Sequence, residues 1–236
     1  MSDKTSVTWS AHVRILTQIY PLPDPLTLLE GDVWSKDKWK ALCKWGVQTH
    51  FERLWRAKTA SNYKLTFLNT QVTGLSGHFH PLLHGLNTTQ DVTIARPQIK
   101  MLCGYYLCQS VLAYERGIDP QCRLCPPIYG SPLPSETLTH ILSQCTGTRD
   151  PRTRLWPDLL NTVQQFFPQN GILSSITSPH IMTQFILDCT SLNLLNGYRI
   201  SITHPEAGQV FRVTRQYCYA IHTERVRQLK RLGHLS

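Results

Sequence analysis

The chain has 236 residues, 41% of them hydrophobic, and its 24 lysines and arginines against 15 acidic residues give a formal charge of +9. This apolar content is enough to bury a core, which excludes a chain that is disordered throughout. The positive charge favours a partner that carries phosphates or an acidic membrane surface. The alternative is a basic surface that is merely solvated.

The first residues, MSDKTSVTWSAHVRIL, are polar and charged where a secretory signal would be apolar, and no apolar run approaches about 18 residues. We therefore expect an intracellular location, nuclear or cytoplasmic, with no membrane partner. In that reducing environment, close spacing among the eight cysteines indicates metal binding before disulfides.

In chain order, the first predicted element is an amphipathic helix over residues 35–58 that Ser35 caps. The prolines of YPLPDPL, just before it, indicate an extended connector. The helix is either a core helix with solvated lysines or a surface that follows nucleic acid. Its apolar side chains, at three- and four-residue spacing, are Trp39, Leu42, Cys43, Val47, His50, Phe51, Leu54 and Trp55.

A loop rich in glycine and threonine follows and carries His78, His80 and His84, interpreted as loop histidines because no cysteine pair stands beside them. Residues 97–117 then predict one helix, with Pro97 in its first turn and Gly117 at its end.

Beyond the cysteine-rich middle, Asp150-Pro151 and Ser178-Pro179 each predict a helix start. A last helix from Gln209 onward places Phe211, Cys218, Tyr219, Val226 and Leu229 on one face. Strand patterns are few, so the predicted class is mainly α: a helical domain with a small Cys-Cys-His-Cys knuckle. The predicted regions are 1–116 (helical), 117–146 (zinc-binding) and 147–236 (helical).

The most specific motif is the set Cys122, Cys125, His140 and Cys145, whose two pairs have spacings that suit a tetrahedral zinc ion. A short helix capped by Ser135, with Glu136 in its first turn, is predicted to carry the second pair. Four protein ligands leave no open position, which predicts one structural Zn²⁺. The alternative is ordinary reduced cysteines beside a surface histidine.

Taken together, the segments resemble the C-terminal region of the polymerase polyprotein of non-LTR (LINE-type) retrotransposons, the part that follows the reverse transcriptase palm and thumb. The arrangement CRLC with SETLTHILSQC is similar to the reverse transcriptase zinc-binding (CCHC) motif of those elements. The other segments that carry the resemblance are IYPLPDPLTLLEGDVWSKDKWKALCKWGVQTHFERLW, HPLLHGLN, ARPQIKMLCGYYLCQS, RTRLWPDL, QFILDCTSL and RQYCYAIHTERVRQL.

The resemblance implies that the four motif residues are zinc ligands, and that the region helps to hold template RNA and target DNA during target-primed reverse transcription. It also implies a reverse transcriptase as a partner. The sequence has no Tyr-x-Asp-Asp signature and no acidic cluster suited to two metal ions, so we expect no enzyme activity and no small-molecule substrate.

The leading hypothesis is therefore a zinc-stabilised module that binds RNA or DNA without catalysis of its own. One alternative is a protein interaction module in which zinc is purely structural, and another is a non-functional retroelement remnant. An enzyme ranks last, because Asp150 and Asp188 have no evident acid or base partner. The predicted nucleic-acid contacts are Arg123, Tyr129, Arg225, Arg227, Lys230 and Arg231.

Overall fold

The structure is a computed structural model that describes residues 9–23, 34–69, 80–127, 132–166, 178–191 and 204–234. In these ranges the chain is mainly α-helical, and β pairing is limited to an isolated bridge between Gln121 and Ser135, which confirms the predicted class. The described residues form two compact units, one up to Asn62 and one from Tyr63 onward. The division into three regions stays a prediction.

The first unit contains helices α1 (Trp9–Ile19) and α2 (Lys36–Ala60). The Ser35 hydroxyl accepts the N–H of Lys38 at 3.2 Å, so the predicted cap of α2 is confirmed. Helix α1 was not among the predicted elements.

The chain that follows α1 lies against α2 at Gly46, which is buried. A Cβ at this position would come within 2.9 Å of Leu22 Cδ2, so a glycine permits the close approach. The Tyr20 ring meets the edge of His50 at 5.0 Å. Several apolar side chains of α2 keep more than a third of their surface exposed: Trp45, Val47, Phe51, Leu54 and Trp55.

The second unit is organised around its longest helix, His204–Arg231, which packs mainly on the helices Thr89–Leu102 and Arg149–Phe166. The core of this unit includes Phe185, Phe211, Tyr217 and Ile221, all fully buried. Its helices are α3 (Thr89–Leu102), α4 (Gln109–Arg116), α5 (Arg149–Phe166), α6 (Pro179–Leu187) and α7 (His204–Arg231). The start predicted at Ser178-Pro179 is confirmed. The start predicted at Asp150-Pro151 is two residues late, because α5 begins at Arg149 and Asp150 lies inside its first turn, and α7 begins five residues before Gln209.

The single helix predicted over residues 97–117 is wrong, because α3 ends at Leu102 and α4 begins at Gln109. Between them Gly104 adopts a left-handed conformation (φ +71°), and a Cβ there would overlap the side chain of Lys64. Pro97 lies inside α3, which begins instead at a capping box formed by Thr88 and Asp91. Gly117 does end α4 in the predicted left-handed conformation.

Buried polar side chains fasten α7 to its neighbours. The Gln98 side-chain amide on α3 donates to Ile186 O at 2.6 Å and to Thr214 Oγ1 at 3.0 Å. Arg215 donates to the carbonyls of Leu82 and His84, each at 2.6 Å. These bonds satisfy groups that would otherwise be costly to bury, so they fix the register of α7 on the core.

Candidate metal centre

A pair of short extended segments holds the first two cysteines. Cys122 N–H donates to Pro134 O at 2.9 Å, and Glu136 N–H donates to Pro120 O at 2.8 Å, on either side of the Gln121–Ser135 bridge. These bonds bring the beginning and the end of the proline-rich connection together. Cys122 and Cys125 then lie on a tight turn, which is the predicted knuckle.

Gly147 allows the knuckle to approach the segment that follows Cys145. A Cβ on Gly147 would lie 2.5 Å from Leu124 Cβ and 3.0 Å from Leu124 O, closer than real Cβ atoms pack. This glycine was not among the predicted site residues. One indication of its role is visible in the sequence, because Gly147 lies two residues after Cys145, the last cysteine of the motif.

The second pair, His140 and Cys145, lies on a wide helical turn and not on an ordinary α-helix. Five residues of α-helix rotate by about 500°, which would leave the two side chains about 140° apart. Here Cys145 N–H donates to His140 O at 2.7 Å, a bond across five residues that widens the turn, His140–Gln144. In this structure the wide turn brings the two side chains together across the four-residue gap.

The helix cap predicted at Ser135 is wrong. Ser135 belongs to the β bridge and Glu136 follows it, while helical residues begin only at Leu138, two residues ahead of the wide turn His140–Gln144. The cap is instead Thr137, whose hydroxyl accepts His140 N–H at 3.1 Å.

The four predicted ligand residues converge on one point. Their ligand atoms all lie within 4.8 Å of one another. Cys145 Sγ is 3.7 Å from Cys122 Sγ and 3.9 Å from Cys125 Sγ, and Cys125 Sγ is 3.3 Å from His140 Nε2. Zinc–sulfur bonds of about 2.3 Å at tetrahedral angles separate two sulfurs by about 3.8 Å. The spacing therefore fits one tetrahedral metal ion.

The cysteines of the cluster are free thiols, since their separations far exceed the disulfide length of about 2.05 Å. Hydrogen bonding from the Cys122 thiol, with His140 beside it, holds the pKa of Cys145 well below its usual range, and the same contact raises the pKa of Cys122. By contrast, burial alone raises the pKa of Cys218. The cluster thus favours a thiolate, the form that binds metal ions.

Glu136 anchors the centre to the helical core. Its side chain is fully buried, and Oε1 accepts from Arg225 Nη2 at 2.6 Å and from Gln109 N–H at 3.0 Å. Arg225 also donates to Leu107 O at 3.2 Å and lies over the Tyr106 ring. A buried ion pair with these additional hydrogen bonds links the metal centre to α4 and α7.

This pairing corrects the prediction that Arg225 contacts nucleic acid. Its guanidinium is buried and already neutralised by Glu136, so it cannot reach a phosphate in this structure. Sequence reasoning missed the pair because its members are 89 residues apart.

The remaining predicted contacts lie at the surface, except Tyr129, which falls outside the described residues, as does His78. Arg123 Nη1 donates to His234 Nδ1 at 3.2 Å, so the knuckle adjoins the end of α7. Arg227 pairs with Glu224 but keeps 45% of its side chain exposed. We call the exposed set Arg123, Arg227, Lys230 and Arg231 the basic patch.

Asp188 has a basic partner that is not evident from the sequence. It is fully buried and accepts from His80 Nε2 at 3.2 Å and from Asn69 N–H at 2.7 Å. His80 Nδ1 accepts Leu82 N–H, which places the proton of the neutral ring on Nε2. The pair joins the segments around residues 69 and 80 to the end of α6.

None of the helices in the described ranges combines the length and apolar character that crossing a bilayer requires. In comparisons with protein-family models, with curated proteins and with solved structures, nothing matches the chain.

Proposed function

We propose that Cys122, Cys125, His140 and Cys145 bind one zinc ion that serves the fold. The convergence of three thiols and one imidazole nitrogen within 4.8 Å carries this proposal. Soft thiolate ligands in tetrahedral array favour zinc over the hard cations, which prefer oxygen. When bound, zinc supplies four coordinate bonds that cross-link the two segments, and no position stays open for a substrate.

We propose further that the chain is a nucleic-acid-binding module without catalytic activity of its own. The basic patch supports this, because Arg123 of the knuckle contacts His234 just beyond α7, and the last turns of α7 carry three exposed cations. Lysine and arginine side chains neutralise nucleic-acid phosphates and release the counterions bound to them. Zinc would act here indirectly, by holding Arg123 in place.

The motif resemblance supports the same function. A module derived from the C-terminal part of a non-LTR retrotransposon polymerase would help to bind template RNA and target DNA beside a reverse transcriptase. The phosphate contacts of the basic patch specify neither RNA nor DNA, nor a base sequence.

Metal analysis followed by nucleic-acid titration tests this function. We expect one zinc per chain, and affinity for labelled RNA that falls steeply as salt rises. The variant K230Q/R231Q should bind more weakly, with a salt slope smaller by about 1 for each phosphate that the variant no longer neutralises.

The control is K36Q/K40Q, which removes the same charge from exposed positions of α2. If both variants weaken binding equally, overall charge and not the basic patch accounts for the affinity. Absence of salt-dependent binding by the native protein would exclude the nucleic-acid function altogether.

A second candidate is a protein interaction module, favoured by the exposed apolar side chains of α2, where Trp45 and Phe51 are about half exposed. Apolar aromatic side chains are typical of protein interfaces. This function would give binding to a protein partner, such as a reverse transcriptase, that changes little with salt.

A further inference from the structure

The second unit contains a cavity of about 680 Å³ next to the metal-binding turn. Its walls come from residues 63–67, the connection between α3 and α4, α4 itself and the segment that leads into His140. The lining is mainly apolar and includes Tyr63, Phe67, Tyr106, Val111, Tyr114 and Leu138. A volume in this range suits a small ligand or a flat ring system.

Two tyrosines stand at this cavity with much of their surface exposed. Tyr63 is 55% exposed and Tyr114 is 76% exposed, and their rings meet edge to face with centroids 5.2 Å apart. Tyrosines usually bury most of their ring, so an exposed pair beside an apolar cavity offers aromatic faces to a ligand.

The charge beside the tyrosines is positive. Lys64 pairs with Glu115 and lies 5.9 Å from the Tyr63 ring centroid. The hydrogen bond from Lys64 is the main reason that the pKa of Glu115 is lowered, and the charge of Arg116 adds to this effect. Arg116 lies two residues after Tyr114 and is exposed. Two cations against one carboxylate complement an anionic ligand.

A ligand with flat aromatic rings and a negatively charged backbone satisfies both properties. We propose that the cavity receives unpaired nucleobases of single-stranded RNA or DNA, which stack on Tyr63 and Tyr114 while Arg116 faces the adjoining phosphate. Paired bases of a duplex stack on each other and present no free face, so duplexes are excluded from this site. The inference rests on the proposed nucleic-acid function and gives it a second contact region.

The cavity is also coupled to the metal centre. Thr137 and Thr139 line it, and Thr137 caps the turn that carries His140. Removing the metal should therefore disturb base binding as well as the basic patch.

Titration of labelled uridine oligonucleotides and of the matching duplex tests the proposal. We expect Tyr114→Ala and Tyr63→Ala each to weaken single-strand binding about fivefold or more, the usual effect of losing one stacked base. Duplex binding and the salt slope should stay unchanged, because no charge is removed. A DNA oligonucleotide should bind the native protein more tightly than its abasic form, which keeps the phosphates without bases, and this preference should shrink in Tyr63→Ala and in Tyr114→Ala.

The control is Tyr105→Ala, which removes a tyrosine that is 77% exposed but does not line the cavity. Tyr63→Phe and Tyr114→Phe keep the ring and should retain binding. If Tyr114→Ala binds like Tyr105→Ala, the base-binding cavity is wrong while the basic patch stands. If the native protein binds no nucleic acid, both proposals fail, and binding of an apolar peptide at the cavity would assign it to a protein partner.

Discussion

The segment from Cys122 to Cys145 and the helical core around α7 are stabilised by different forces. The core buries large apolar side chains such as Phe185 and Phe211, and burial of such rings stabilises the folded state without any ligand. Among its described residues, the Cys122–Cys145 segment buries three of the four ligand residues, Glu136 and the pair Ile141 and Leu142, while Cys125 is half-buried. Ile141 and Leu142 pack into the helical core, and the rest of the described segment has little apolar burial of its own. We therefore expect loss of the metal to act mainly on the segment and truncation of a core ring to act mainly on the helices.

The largest effect should come from Cys145→Ser. Loss of one thiolate should remove the metal, whose binding is worth on the order of 10 kcal/mol in small zinc sites. We expect residues 117–146 to become sensitive to proteases while the middle of α7 keeps its amide protection. Metal analysis and hydrogen exchange on the same sample measure both effects.

The matched control for that variant is Cys103→Ser, a half-buried thiol outside the cluster, which should keep the metal. Loss of protection throughout α7 in Cys145→Ser would contradict the separation of the two regions.

Phe185→Ala should act on the helical core around α7. Truncating this fully buried ring leaves a cavity and should lower the free energy of unfolding by about 3–5 kcal/mol. At room temperature the metal content should remain that of the native protein, because no ligand or anchor is altered. Denaturant unfolding and metal analysis test this, and parallel loss of metal would show that the centre depends on core packing.

Glu136→Gln should weaken the link between the regions and have the smallest effect. Replacing the carboxylate that faces Arg225 removes a charge-assisted hydrogen bond, which lowers the free energy of unfolding by about 1.5–3 kcal/mol. We also expect zinc to be lost at a lower chelator concentration. Competition with a chromogenic chelator measures this.

Glu52→Gln is its control, since Glu52 pairs with Arg56 at 3.6 Å on the surface of α2 and such exposed pairs contribute little. Equal destabilisation by the two substitutions would mean that Glu136 has no special role.

The predictions that held depend on neighbours in the sequence. Ser35 caps α2, Gly117 ends α4 and Ser178-Pro179 begins α6, because each signal acts within a few residues. The four cluster residues could be predicted for the same reason, since their pairs are set by local turns.

The predictions that failed depend on distant contacts. Arg225 has the same charge as its exposed neighbours on α7, but its contacts with Glu136, Leu107 and Tyr106 keep it from the surface. Likewise, the break after α3 depends on Lys64 packing against Gly104, about 40 residues away. Charge and periodicity carry no information on such pairings.

Helix α7 also bears on how the protein is synthesised. Gln98, Leu82, Leu142 and Glu136 all find their partners on α7, which the ribosome makes after every one of them. Until α7 emerges, the earlier helices keep an apolar surface uncovered, and contacts across such long sequence separations form slowly. We therefore expect the nascent chain of this unit to be prone to aggregation until α7 has left the exit tunnel.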